Sequence, residues 1–210
     1  MIDWATIAEV GTAGGTLVLA IATFASVRSS NRSARLAERS LLDALRPLLL
    51  PSHPQDPEEK VGFQDQHWIH VPGGMATAEI TPETIYLAMS LRNVGPGLGV
   101  LNGWVLHPRR LVGTEDHPDP ASFRRLTRDL YIPAGDRGFW QGTYRDPADP
   151  AFRAAADVIM ARQPFTIDLL YSDGEGGQRI ISRFSLAPAH DDGWITGVSR
   201  HWNLDRPDPR

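Results

Sequence analysis

The sequence predicts a mainly β protein: an N-terminal transmembrane helix over residues 1–27, a basic helical neck over 28–46, and an antiparallel β-sandwich with long loops and one short helix over 47–210. Three observations carry this reading. Val10 to Val27 is an unbroken uncharged stretch, and a row of arginines follows it directly. From Pro47 onward, short β-rich runs alternate with Gly, Pro, Asn and Asp, which is the punctuation of strands and turns. With 210 residues, 41% hydrophobic and 22% charged, the chain has material for one domain with a core plus an anchor.

The anchor comes first. Eighteen uncharged residues make a helix of about 27 Å, close to the hydrocarbon thickness of about 30 Å. Trp4, Ala5, Ile7 and Ala8 extend the apolar length, and Trp4 suits the interfacial aromatic belt. A cleavable signal peptide starts with basic residues, whereas this chain starts "MIDWATIAE". From Leu17 to Phe24 the stretch is apolar all round except Thr23, as lipid exposure allows. No Lys or Arg precedes the span, so the positive-inside rule places the C-terminal domain in the cytoplasm, at the inner membrane.

Gly11, Thr12, Gly15 and Thr16 form a small-residue stripe. Such stripes let helix backbones approach closely in lipid, so a homodimer through the anchor is expected here. Arg28, Arg32, Arg35 and Arg39 follow at i, i+4, i+7 and i+11. They share one helix face suited to anionic lipid headgroups. Pro47 stops the helix.

Beyond Pro47, "PLLLP" and "HWIHV" read as early strands. "ETIYLAMSLRNVG" alternates Ile85, Leu87, Met89 and Leu91 against Tyr86, Ala88, Ser90 and Arg92, and "GLGVLNGWVLHP" answers it across a Gly/Pro turn. "RDLYIPAGDRGFWQGTY" gives two strands around "PAGD", with Pro133 ahead of Gly135. "DPADPAFRAAADVIMARQP" is helical, capped by Asp149 and stopped by Pro164. "FTIDLLYSDGEGGQRIISRFSLAP" is a hairpin around Asp173 to Gly177, and "GWITGVSRHW" adds a last strand. Residues 52–66 and 107–128 are left as long loops, a length that marks either function or disorder.

"LRNVGPGLGVLNGWVLHP" followed by "LYIPAGDRGFW" resembles bacterial immunoglobulin-like modules, in which an Asn-x-Gly turn joins two core strands. Together with "LLYSDGEGGQRIISRFSL", the pattern is similar to uncharacterised small single-pass bacterial membrane proteins. The resemblance implies an immunoglobulin-like sandwich.

Chemistry-bearing patterns are sparse. The chain has no cysteine, which removes disulfides and thiolate sites. His67 and His70 lie three apart in a strand, hence on opposite faces, and no metal is expected there. Asp173 and Glu175 lack the donor run of a calcium loop, and no phosphate-binding or dinucleotide fingerprint is present, so no cofactor is expected. Residues from Pro47 on hold 16 basic and 21 acidic side chains, a net of −5, which disfavours nucleic acid. Lys60 is the only lysine among the 21 basic residues, so single arginines carry little weight. Trp104 and Trp140 are assigned to the core, and Trp194 and Trp202 are read as exposed anchors for a protein partner.

The functional expectation is a membrane-anchored, non-enzymatic interaction or sensing module. The alternatives are a membrane-tethered hydrolase whose carboxylates or histidines assemble from the long loops, and, with reversed topology, an outward-facing adhesion or carbohydrate-binding module.

Overall fold

The computed structural model describes residues 4–112, 115–189 and 192–205, with side chains for all of these except 4–18, 20 and 39. The chain divides into two units, Met1–Asp43 and Ala44–Arg210. The first is helix α1, Trp4–Ala44. Every described side chain from Leu19 to Leu41 on it is exposed. The Thr23 hydroxyl donates to the Leu19 carbonyl one turn earlier at 2.8 Å, so it needs no outside partner. Among the described residues no helix is long and apolar enough to cross a membrane; the side chains of most of Val10 to Val27 lie outside them.

The second unit is β-rich and antiparallel. Its strands are β1 (Leu49–Pro51), β2 (Glu59–Gly62), β3 (Trp68–Val71), β4 (Met75–Ile80), β5 (Ile85–Asn93), β6 (Gly99–His107), β7 (Arg124–Ile132), β8 (Arg137–Tyr144), β9 (Phe165–Ser172), β10 (Ile180–Pro188) and β11 (Trp194–Asn203). A short helix, α2 (Pro150–Met160), separates β8 from β9. Nine of the strands form one sheet in the order β1-β5-β4-β11-β10-β9-β6-β7, with β8 also on β5. Since β5 pairs with β8 along residues 85–92, β4 and β1 share its other edge. That leaves β8 and β7 as terminal strands, joined by the turn at Pro133.

The sheet folds back so that its two halves face each other. They meet in one core, where Leu87, Met89 and Trp140 pack with Leu101, Trp104, Ile167 and Phe184. Trp104 and Trp140 meet edge-on at 5.3 Å, and Tyr144 abuts Trp104 at 5.1 Å. Both tryptophans are therefore core, as expected. Along one side the halves are stitched by Trp194↔Ala76 and Ile195↔Met75. Helix α2 adds Phe152, Ala155 and Ile159 to this core, and the Asp149 carboxylate accepts from the Ala151 amide as its N-cap.

The two outer faces are covered by segments read from sequence as loops. Residues 52–66 contain β2, which pairs with β3 and seats Val61, Phe63, Ile69 and Val71 on Tyr86 and Ala88. This is why β5 is buried on both faces. Within 107–128, His107 ends β6 and Arg124 begins β7. The remaining segment lays Phe123 over Ile181 and Trp202 on the other outer face.

Asn93 closes β5 and is 1% exposed. Its Oδ1 accepts from the amides of Leu48 and Gly95, each at 3.0 Å. Its Nδ2 donates to the carbonyls of Gly97 and Ile132 at 2.6 and 3.0 Å. Every hydrogen-bonding position of the amide is filled. Gly97 lies so near the entering chain that a Cβ there would be 1.8 Å from the Leu45 carbonyl oxygen. Asn93→Ala strands three buried backbone groups and the part-buried Leu48 amide, so a loss of about 3 kcal/mol is expected, measured by urea unfolding followed through tryptophan fluorescence.

Candidate functional site

The residues predicted from sequence do not converge. Gly11, Thr12, Gly15 and Thr16 lie on the backbone of α1, and their side chains are outside the described residues. Arg28, Arg32 and Arg35 line one shallow groove with Phe24, Val27 and Asn31; the Arg39 side chain is outside the description.

Trp194 and Trp202 depart from expectation, at 1% and 5% exposed. The reason is strand parity. A bulge in β11 at Ser199, where Arg183↔Arg200 is followed by Phe184↔Val198, turns the two indoles to opposite faces. Trp194 points into the core against Phe165 at 4.7 Å. Trp202 lies on the outer face beneath Arg183 and Arg200, whose guanidinium carbons are 4.7 and 5.2 Å from its ring. Neither indole presents the exposed face that partner anchoring requires.

The histidines pair separately. His67 meets Glu79 at 2.8 Å and His70 meets Glu58 at 2.6 Å. Among the described residues no group of three or more His, Asp or Glu is placed to hold a metal.

Two buried polar networks stand out. In the first, the outer-face pair Asp168 and Arg183 is 0% and 1% exposed. The Arg183 fork bonds both Asp168 oxygens at 2.9 Å and also donates to the carbonyls of Glu115 and Asp116 at 3.0 Å. Leu111 adds an amide bond to Thr166 Oγ1 at 2.9 Å. The covering segment is thus pinned to β9 and β10 by a satisfied buried ion pair.

In the second network, Ser182 Oγ is 2.6 Å from His201 Nδ1 and 2.8 Å from the Tyr171 hydroxyl, which accepts from the Leu49 amide at 3.2 Å. Burial first, and the Arg46 charge second, push the His201 imidazole down to about 4. In the neutral tautomer with the proton on Nε2, His201 Nδ1 accepts from Ser182, which accepts from Tyr171, leaving the phenol oxygen free to accept from Leu49. The chain of bonds runs one way and works as a latch for β1. Ser182, 0% exposed, offers substrate no approach.

An open site lies on the side opposite the Trp194 seam, between the terminal strands. Across a one-residue irregularity in β6, Leu101↔Leu130 is followed by Gly103↔Arg125. Residues 126–129 of β7 therefore have no partner on β6, and the strand bows outward. A cleft of about 350 Å³ opens there, with Trp104 at its floor and Arg124, Arg125, Thr127, Gln141 and Arg145 around it. Gly142 lets the Trp104 and Trp140 rings pack against β8, since a Cβ there would sit 2.7 to 2.9 Å from them.

No protein-family model, curated protein or solved structure matches this chain. The chemistry is therefore read from the cleft itself. Arg124 stacks on Tyr144 at 4.6 Å and bonds Asp149, and Arg145 meets Asp65 at 2.9 Å. The lining carboxylates are already engaged: Asp149 caps Ala151 through Oδ1 and takes Arg124 on Oδ2, and Asp146 accepts from Ala148 at 2.9 Å. The cleft is rich in donors and carries no nucleophile beside a base. Sequence reasoning missed it because its walls come from residues 104, 124–127 and 141–149, with no shared motif.

Arg183→Met leaves the buried Asp168 with only the longer 3.2 Å contact to His107 Nε2 among the described side chains, so a loss of about 3 kcal/mol is expected, most of it recovered in Asp168→Leu/Arg183→Met. Denaturant midpoints and proteolysis at 108–123 measure both. For His201 the folded value lies below the unfolded 6.5, so the unfolded chain binds more protons between them. Stability is expected to fall as pH drops from 6.5 toward 4, and less steeply in His201→Gln.

Proposed function

We propose that this is a single-pass membrane protein whose β domain is a non-enzymatic interaction or sensing module facing the cytoplasm. One observation carries the anchor. Leu19, Ile21, Phe24 and Val27 are 71%, 61%, 68% and 53% exposed, and at about 100° per residue they point around the helix rather than along one stripe. Apolar side chains on several sides call for a surrounding solvent of hydrocarbon more than for a single groove. The internally bonded Thr23 suits that setting. Phe24 and Val27 continue on one face into Arg28, Asn31, Arg32 and Arg35, the order expected where a helix leaves hydrocarbon for anionic headgroups.

For the domain, the finer reading is an immunoglobulin-like sandwich. Its support is connectivity: β5 pairs with β4 and β8 in one half, while β6, β9 and β10 are neighbours in the other, and the chain crosses between halves at β5–β6, at β7–β8 and, through α2, at β8–β9. Such domains place binding surfaces on a stable frame without a fixed chemistry. The proposed partners are membrane lipids, a second copy through Gly11, Thr12, Gly15 and Thr16, and a protein partner. The tethered-hydrolase alternative needs converging carboxylates, whereas Asp146 and Asp149 serve their own turns.

Topology is testable because the chain lacks cysteine. Glu175→Cys, in the exposed β9–β10 turn, should resist membrane-impermeant maleimide in intact cells and react after permeabilisation. Labelling of intact cells would reverse the orientation. In membranes, Gly11→Ile/Gly15→Ile should reduce chain-to-chain crosslinking several-fold; unchanged crosslinking would move the contact elsewhere.

A further inference from the structure

The cleft between β7 and β8 contains donors that the fold leaves unused. Gln141 is 5% exposed, and its Oε1 accepts from Arg128 at 2.7 Å. That bond fixes the amide orientation, since the reverse would set N–H against guanidinium. Gln141 Nε2, at the cleft wall, has no described partner. This amide nitrogen is not one of the buried donors that lack a partner; it opens onto the cleft, where a ligand oxygen can take the place of water.

The same cleft holds Arg125, for which no described group is a partner, and the hydroxyl of Thr143. Arg124 gives one N–H to Asp149 and Arg145 gives one to Asp65, leaving the rest of each five-donor fork free of described acceptors. The donors come from β7, from β8 and from the segment after β8. They surround a volume rather than define a plane. A carboxylate is planar and is satisfied by one guanidinium fork. Three oxygens and a charge near −2 match a phosphoryl group.

We propose that this cleft is a binding site for a phosphomonoester, with the phosphoryl group held by Arg125, Gln141 Nε2 and the free edges of Arg124 and Arg145. The inference rests on the interaction-module reading and deepens it by naming the ligand chemistry. At about 350 Å³ the cleft has room for more than the phosphoryl group, so part of the organic group enters with the phosphate. Two sources supply this chemistry, a soluble phosphomonoester and the headgroup of a phosphomonoester lipid.

The test uses the full chain in phosphatidylcholine nanodiscs, titrated calorimetrically with O-phosphoserine and, separately, acetate. Binding of phosphoserine with acetate at least tenfold weaker is expected. Arg125→Gln should weaken phosphoserine at least tenfold. Gln141→Glu should do the same, because its carboxylate still accepts from Arg128 and replaces the donor with an acceptor. Arg137→Gln, which alters an ion pair with Glu59 outside the cleft, should change affinity less than twofold. Nanodiscs containing phosphatidic acid separate the sources: phosphoserine is displaced if the lipid headgroup occupies the cleft and binds unchanged if the ligand is soluble. No phosphoserine binding at millimolar concentration with no headgroup effect, equal binding of acetate, or an unaffected Arg125→Gln would overturn the site and leave the module reading intact. Release of inorganic phosphate from phosphoserine would keep the site and overturn the non-enzymatic reading.

Discussion

The fold depends on Asn93. Its side chain bonds Leu48, Gly95, Gly97 and Ile132. Its backbone adds the turn between the terminal strands, through Asn93 N to Asp136 O and Gly135 N to Asn93 O, both at 2.9 Å. One residue thus fixes the entry of the chain and the β5–β6 and β7–β8 crossovers between the sheet halves. Gly135, at φ +74°, supplies the left-handed position that this turn needs. The cleft is a downstream result: β7 and β8 are tied together at that turn, and β7 departs from its ladder with β6 farther along.

Polar burial elsewhere follows the same logic of complete satisfaction. Asp168 and Arg183 occupy strand positions where an apolar pair would pack more cheaply. Their extra donors instead reach the carbonyls of Glu115 and Asp116, giving an otherwise irregular segment one place to lie. The Tyr171, Ser182 and His201 chain does the same for the three-residue strand β1. Each device adds specificity to an element too short to specify itself. By contrast, the indole N–H groups of Trp140 and Trp194 are buried without partners, so these side chains serve by volume and shape.

The sequence was legible where periodicity and punctuation coincide. Alternation in Ile85 to Arg92 marked β5, Asp149 and Pro150 marked the start of α2, and the glycines after Asp173 marked the β9–β10 turn. β2 and β4 were not legible, because "EKVG" and "MATAEI" are short and carry few strong β-formers; their stability comes from neighbours distant in sequence. The burial of Trp202 was hidden for a different reason, since the bulge at Ser199 reverses side-chain parity and leaves no local signature. The run Arg124 to Arg128 was visible, yet in a chain with a single lysine its arginines did not stand out. Their meaning came only from Gln141 and Arg145 across the gap.

The clasp on the entering chain also has a mechanical consequence. Leu45 and Arg46 thread past Gly97 and Gly95 with no room for a side chain, and Leu48 is bonded in both directions, to Asn93 and from Val94. Tension applied at Ala44 would therefore load several bonds together in shear, instead of unzipping β1 from β5 one pair at a time. Since Leu49 is joined through Tyr171 to the opposite half of the sheet, that strain would be shared across the core before any strand peels.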